Sequence, residues 1–98
     1  MPKALKVTSG GSDSSIETSL QRRKAIVIGR SADCDVVIRD SKASRRHCRL
    51  TRGETAFVLQ DLDSKNGTYV DGQRIRGPVT LKPNQVFKIG DTVFYLAL

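Results

Sequence analysis

Three short polar clusters hold most of the side chains in this chain that could do chemistry: Gly29-Arg30, Ser44-Arg45-Arg46-His47 and Ser64-Lys65-Asn66-Gly67-Thr68. Together they supply hydroxyls, guanidinium and ammonium groups, and backbone amides beside glycines. Donors of one positive sign suit a phosphate, whose three oxygens accept hydrogen bonds strongly. Arginine fits that task better than lysine, because its planar fork can make two parallel bonds. The whole chain leans the same way. Seventeen Lys and Arg against ten Asp and Glu give a formal charge of +7 in 98 residues. Such a balance favours an anionic partner: nucleic acid, anionic lipid or a phosphorylated molecule.

Other chemistries are poorly supplied. His47 is the sole histidine, which excludes two-histidine metal sites. No pair of carboxylates is suitably placed, and no phosphate-cradling G-x-x-x-x-G-K-[ST] loop or Ser/His/Asp set is suggested by spacing. Asp33 and Asp35 flank Cys34 without the ligand density of a calcium site. A binding module is therefore expected and not an enzyme, with no metal and no cofactor. Cys34 and Cys48 lie fourteen positions apart with no CxxC, which reads as two reduced thiols and a reducing, cytoplasmic setting. No run approaches the ~20 apolar residues that span a bilayer, and the first ten residues lack the apolar centre of a signal peptide.

The elements that must position these clusters are strands. Hydrophobic residues form 38% of the chain, enough for one small core, so a single domain over residues 1–98 is expected. Eleven short runs rich in Val, Ile, Phe and Tyr recur between turn residues, at 4–8, 15–20, 24–28, 36–38, 47–52, 55–61, 68–70, 73–75, 79–81, 86–89 and 92–98. Asp71-Gly72 is a preferred two-residue hairpin pair, because both central positions need positive φ. Gly53, Gly90-Asp91 and Pro83-Asn84 mark further corners, and residues 8–15 (TSGGSDSS) read as a flexible polar loop. Many strands, tight turns and no helical periodicity predict an all-β fold, an antiparallel-rich β-sandwich of eleven strands. Residues 63–67 carry no apolar side chain, and 29–44 hold one short apolar run, so binding is expected in these loops.

Gly29-Arg30, then Ser44-Arg45-Arg46-His47, then Asn66-Gly67-Thr68-Tyr69-Val70-Asp71-Gly72 resembles the forkhead-associated (FHA) domain, a phosphothreonine-binding module. That family's pattern is Gly-Arg, a spacer of a dozen or so residues, Ser-x-x-His, a longer spacer, then Asn-Gly-Thr. The present spacings are fourteen from Arg30 to Ser44 and nineteen from His47 to Asn66. Asp35-Val36-Val37-Ile38 and Asp61-Leu62 match the flanking pieces, so the likeness covers nearly the whole chain. The resemblance implies a sandwich whose binding loops cluster at one end, and a signalling adaptor that recognises threonine-phosphorylated proteins. It implies that Arg30 and Ser44 hold phosphate oxygens, with Arg45 and Lys65 adding charge nearby. Asn66 would bond the peptide backbone. Lys42 would read the side chain three residues after the phosphothreonine, favouring an acid there. Gly29, His47, Gly67 and Thr68 would support the site.

Plainer readings exist for each residue taken singly. Arg30 could be a solvated strand-end charge, Ser44 a turn cap, and Lys42, Arg45 and Lys65 ordinary loop charges. The +7 charge makes a nucleic-acid-binding β domain the main rival. That rival is short of stacking groups, since Phe57, Phe87 and Phe94 lie in apolar runs, leaving Tyr69 and Tyr95. A scaffold that keeps the fold without phosphate binding is the third reading. Intact Arg30, Ser44 and Asn66 argue against it. A monomer with no membrane association is expected.

Overall fold

Two-residue alternation decides which side of each strand is inside. In β3 (Ala25–Gly29) the buried side chains are Ile26 and Ile28. In β5 (Cys48–Arg52) they are Cys48 and Leu50, and in β6 (Phe57–Asp61) Phe57 and Leu59. Strand β10 (Val86–Ile89) buries Phe87 and Ile89, and β11 (Thr92–Ala97) buries Thr92 and Phe94. The remaining strands are β1 (Ala4–Ser9), β2 (Ser12–Ser15), β4 (Val36–Val37), β7 (Tyr69–Val70), β8 (Gln73–Arg74) and β9 (Val79–Leu81). The structure is a computed structural model and describes residues 4–9, 12–15, 24–53, 56–82 and 85–97.

The strands form two sheets. One has the order β2-β1-β11-β10-β7-β8, the other β4-β3-β5-β6-β9. All neighbouring pairs are antiparallel except β3 and β4, where Ile28 faces Val36. The all-β sandwich follows from packing the apolar faces together. Ile26, Ile28, Leu50, Phe57 and Leu59 from one sheet join Val70, Phe87, Ile89 and Phe94 from the other in one buried cluster. Phe87 and Phe94 are cross-strand partners whose rings stack with centroids 4.8 Å apart. Each such side chain contributes roughly 1.5–3 kcal/mol by leaving water.

Register then sets the position of the loops. Ile28, Cys48 and Asp61 are directly opposite one another across β3, β5 and β6. Gly29-Arg30, Ser44–His47 and residues 62–68 all lie just beyond that row, so three clusters distant in sequence emerge at one end of one sheet. The 71–72 turn is as expected, with positive φ at both Asp71 (49°) and Gly72 (85°). One expectation is corrected: residues 12–15 are not a loop but strand β2, paired with β1 from Lys6↔Ser15 to Ser9↔Ser12. The pairing is made by the backbone, and this polar stretch offers no apolar alternation that would announce it. The expected strand over 15–20 (beyond Ser15) and the Pro83-Asn84 corner lie outside the described residues.

Candidate functional site: three cationic loops tied at one end of the sandwich

Beyond the last residues of β3 and β5 the chain continues to pair. The His47 amide donates to the Ile28 carbonyl at 2.9 Å, the Arg30 amide to Ser44 O at 3.0 Å and the Ser31 amide to Arg45 O at 3.1 Å. This close approach is why position 29 is glycine: a Cβ there would sit 2.2 Å from the Arg45 carbonyl oxygen. Cys34 adds a bond from its buried thiol to the same carbonyl oxygen at 3.0 Å. The result is a rigid seat for Arg30. Its Nε donates to Ala43 O at 3.1 Å, which orients the guanidinium and leaves its terminal amino groups without a partner among the described residues. A shallow depression of about 250 Å³ opens here, lined by Arg30, Ser31 and Arg45.

The second and third clusters are tied by side chains. Ser44 Oγ accepts from the Lys65 amide at 3.0 Å, so its own hydroxyl hydrogen remains to donate. His47 is fully buried beneath them. Its Nδ1 accepts from the Ser44 amide at 3.0 Å and so carries no proton. Nε2, 2.8 Å from Gly67 O, must then be the donor. Asn66 Nδ2 donates to Lys42 O at 2.8 Å, leaving its Oδ1 and second amide hydrogen toward solvent. Arg45, Lys65, Asn66 and Lys42 are exposed, whereas Gly67 and Thr68 are buried.

Two carboxylates hold the rims. Asp61 Oδ1 accepts from Ser64 Oγ at 2.5 Å and Thr68 Oγ1 at 2.7 Å, and its Oδ2 from the Ser64 amide at 3.0 Å. Ser64 Oγ in turn accepts from the Gly67 amide at 3.0 Å. Burial alone would raise the Asp61 carboxyl, but the hydrogen bonds from Ser64 and Thr68 outweigh it and hold the group below its usual range. Asp40 does the same for the other rim. Its Oδ1 accepts from the Lys42 amide at 2.9 Å, and Oδ2 from the Asp91 amide and Thr92 Oγ1, both at 2.9 Å. Burial is again overcome by these donors, and the carboxyl lies low. Gly90 leaves room for this knot, since a Cβ there would come within 2.6 Å of Asp40 Oδ1.

Asp33, Asp40, Asp61 and Asp91 are thus committed elsewhere. Asp33 pairs with Arg46 at 3.2 Å, and Asp91 with Lys42 at 3.3 Å. Arg30, Arg45 and Lys65 remain without an acidic partner among the described residues. Every residue singled out in the sequence therefore sits in or directly under one loop cluster. Lys42 is the one whose charge is already engaged. The roles not foreseen are the loop-holding contacts of Asp40 and Asp61, the bridge at Ser64, and the room left by Gly90. Asp61 three residues before Ser64 is the pattern of a carboxylate closing a turn, and was the available signal.

The fold and this loop cluster define a class of β-sandwich with polar loops gathered at one end, and comparison with known proteins gives its family. The family model of the FHA domain matches residues 26–90. The chain belongs to the FHA domain family. It is 37% identical over 71 residues to FHA domain-containing protein FhaB of Mycolicibacterium smegmatis, covering 72% of this chain and 46% of that protein. It is 39% identical over 67 residues to the transcriptional regulatory protein EmbR of Mycobacterium bovis, covering 68% of this chain and 17% of EmbR. The chain thus spans less than half the length of these relatives. Among solved structures, the FHA domain of CT664 from Chlamydia trachomatis superimposes with a TM-score of 0.82 at 31% identity, covering 97% of this chain and 95% of that one. Mycobacterium tuberculosis EmbR in complex with a low-affinity phosphopeptide gives 0.79 at 29% identity, covering 96% and 24%. No helix among the described residues is long and apolar enough to cross a membrane.

Proposed function

We propose that this domain binds phosphothreonine in a partner protein and acts as a signalling adaptor without catalysis of its own. The observation that carries this reading is the convergence of Arg30, Ser44, Arg45 and Lys65 from three loops, with Asp33, Asp40, Asp61 and Asp91 already engaged. The complex of EmbR with a phosphopeptide supports it. Arg30 donates its terminal amino groups to phosphate oxygens, and Ser44 donates its hydroxyl. Arg45 and Lys65 contribute field. A phosphothreonine carries about −1.5 to −2 charge near neutral pH, and one cation 4 Å from a unit charge gains roughly 4 kcal/mol at an effective dielectric near 20, before desolvation.

Asn66 bonds the peptide backbone through the groups that Lys42 O leaves open. Lys42 reads an acid downstream of the phosphothreonine by exchanging its exposed partner Asp91, and such surface pairs cost only about 0–1 kcal/mol to break. His47, Gly29, Gly67 and Thr68 shape the loops. Burying the threonine methyl is worth only about 0.8 kcal/mol, so strong preference over phosphoserine requires the methyl to orient the peptide as well. The unpaired buried thiols Cys34 and Cys48 suit a reducing, cytoplasmic setting.

The test is fluorescence anisotropy with a degenerate peptide pool phosphorylated on threonine, against unmodified, phosphoserine and single-stranded DNA probes. Selective binding of the phosphothreonine pool, lost in Arg30→Ala, is the expected result. Equal or tighter DNA binding, falling steeply with salt, would replace this reading with the nucleic-acid one.

A further inference from the structure

The outer face of the six-stranded sheet carries a second surface that the phosphate loops do not use. Register places Val93, Lys88, Tyr69 and Arg74 in one row across β11, β10, β7 and β8, with Tyr95 opposite Val86 alongside. Their chain neighbours Phe94, Phe87 and Val70 point into the core, so this row faces outward. Val86 is 38% exposed, and only Val37 joins it as an exposed large hydrophobic among the described residues. Between the turns at 71–72 and 90–91 the face sinks into a hollow of about 350 Å³, lined by Tyr69, Asp71, Gly72, Val86, Lys88 and Gly90.

The charges around this hollow are unequal in availability. Both oxygens of its one acid are used: Asp71 Oδ2 accepts from Gln85 Nε2 at 3.0 Å, and Oδ1 lies 3.4 Å from the Val86 amide. Lys88 and Arg74 are exposed and have no acidic partner among the described residues. Arg74 lies against Gly67, with Nε only 2.6 Å from where a Cβ there would stand. The row therefore starts next to Asn66 and runs away from the phosphate loops.

We infer that this face docks an extended acidic segment of a partner protein. One apolar side chain sits in the hollow against Val86 and Tyr69, and flanking carboxylates meet Lys88 and Arg74. Charge complementarity selects this occupant. A second copy of the chain would bring one +7 molecule against another and set Lys88 and Arg74 against like charges. The surface is separate from Arg30 and Ser44, so it works whether or not the partner is phosphorylated. A partner that engages both surfaces gains from the high effective concentration of the second contact.

The experiment is a ¹⁵N–¹H correlation titration of the 98-residue chain with the unphosphorylated peptide acetyl-Glu-Asp-Asp-Leu-Phe-Asp-Glu-Glu-amide. Oligothymidine serves as the rival probe. Shifts centred on Tyr69, Gly72, Val86, Lys88 and Gly90 are expected, with a dissociation constant on the order of 1 mM or below. Lys88→Glu should weaken binding by about fivefold or more while thermal unfolding is unchanged. Arg30→Ala should leave this titration as it is even where it abolishes phosphopeptide binding. Four outcomes would overturn the inference: shifts centred on Arg30 and Ser44, tighter oligothymidine binding at the same face, concentration-dependent broadening of this face without any probe, or no shifts at millimolar peptide. Should Lys88→Glu fail to fold, Lys88→Ala gives the same comparison.

Discussion

Nδ1 of His47 takes the Ser44 amide proton, which puts the ring's own proton on Nε2 and aims it at Gly67 O. Replacing this ring by a methyl leaves two backbone groups unpaired and an empty space in a fully buried position. Unpaired buried groups cost about 1–3 kcal/mol each. His47→Ala should therefore lower the melting temperature by on the order of 10–20 °C, and phosphopeptide affinity with it. Unchanged melting with lost binding would instead make His47 a ligand contact. Arg30 contrasts with it. Its guanidinium is exposed and its loss opens no cavity, so Arg30→Ala should keep the melting temperature and lose at least tenfold in affinity, given about 1.5–3 kcal/mol per charge-assisted bond. Arg30→Lys, which keeps the charge but not the fork or the Nε bond to Ala43 O, should fall between. Anisotropy beside calorimetry separates the two residues.

At the scale of loops and turns, two aspartates replace covalent staples. Asp40 spans the sheets by gripping the 90–92 turn, and Asp61 closes the 61–68 loop. Both carboxyls are held below the usual range of an aspartate. A carboxyl depressed in the folded state adds stability that is fully present above its unfolded value and drains as pH falls through the folded one. Urea unfolding should thus show stability flat from pH 7 to 5 and declining below about pH 4. Asp61→Asn should be less stable than the parent at pH 6, and the gap should narrow by pH 3. A gap of constant size would remove the carboxylate charge from the account. Asp40 was hard to read in sequence because it binds groups 51 and 52 residues away, whereas the partners of Asp61 are only three and seven residues on. Gly29-Arg30, Ser44 and Asn66-Gly67 were legible because turn and phosphate chemistry restrict residue type locally. The β-runs were legible from alternation. Strand β2 was not, because its serines and aspartate offer none.

For the molecule as a whole, net charge is the property the sequence announced most plainly and explained least. The +7 balance suggested several anions equally. Only the fold shows that Arg46 and Lys42 are paired while Arg45 and Lys65 stand open. Exposed cations act through a screened field, with a range near 10 Å at 0.1 M salt. Arg45→Ser should cost roughly threefold in phosphopeptide affinity at low salt, a difference that disappears near 1 M. The contribution of Arg30 should persist there, since it depends on bonding geometry. A salt titration of both variants makes the comparison, and parallel slopes would show that Arg45 touches the phosphate as Arg30 does.

The pairing of β1 with β11 has a consequence for rearranging the chain. Ala4 lies opposite Ala97, so the first and last strands end side by side. Thr92 holds the Asp40 knot at the binding end, and five further residues of strand carry β11 about 17 Å from it. Cargo attached at either end therefore hangs from the pole opposite the ligand. A short glycine linker can join the two ends, and new ends can open beside exposed Gly53, where β5 turns into β6 away from the row of Ile28, Cys48 and Asp61. Such a circular permutant should retain its phosphopeptide affinity within about twofold, because no loop of the binding pole is cut.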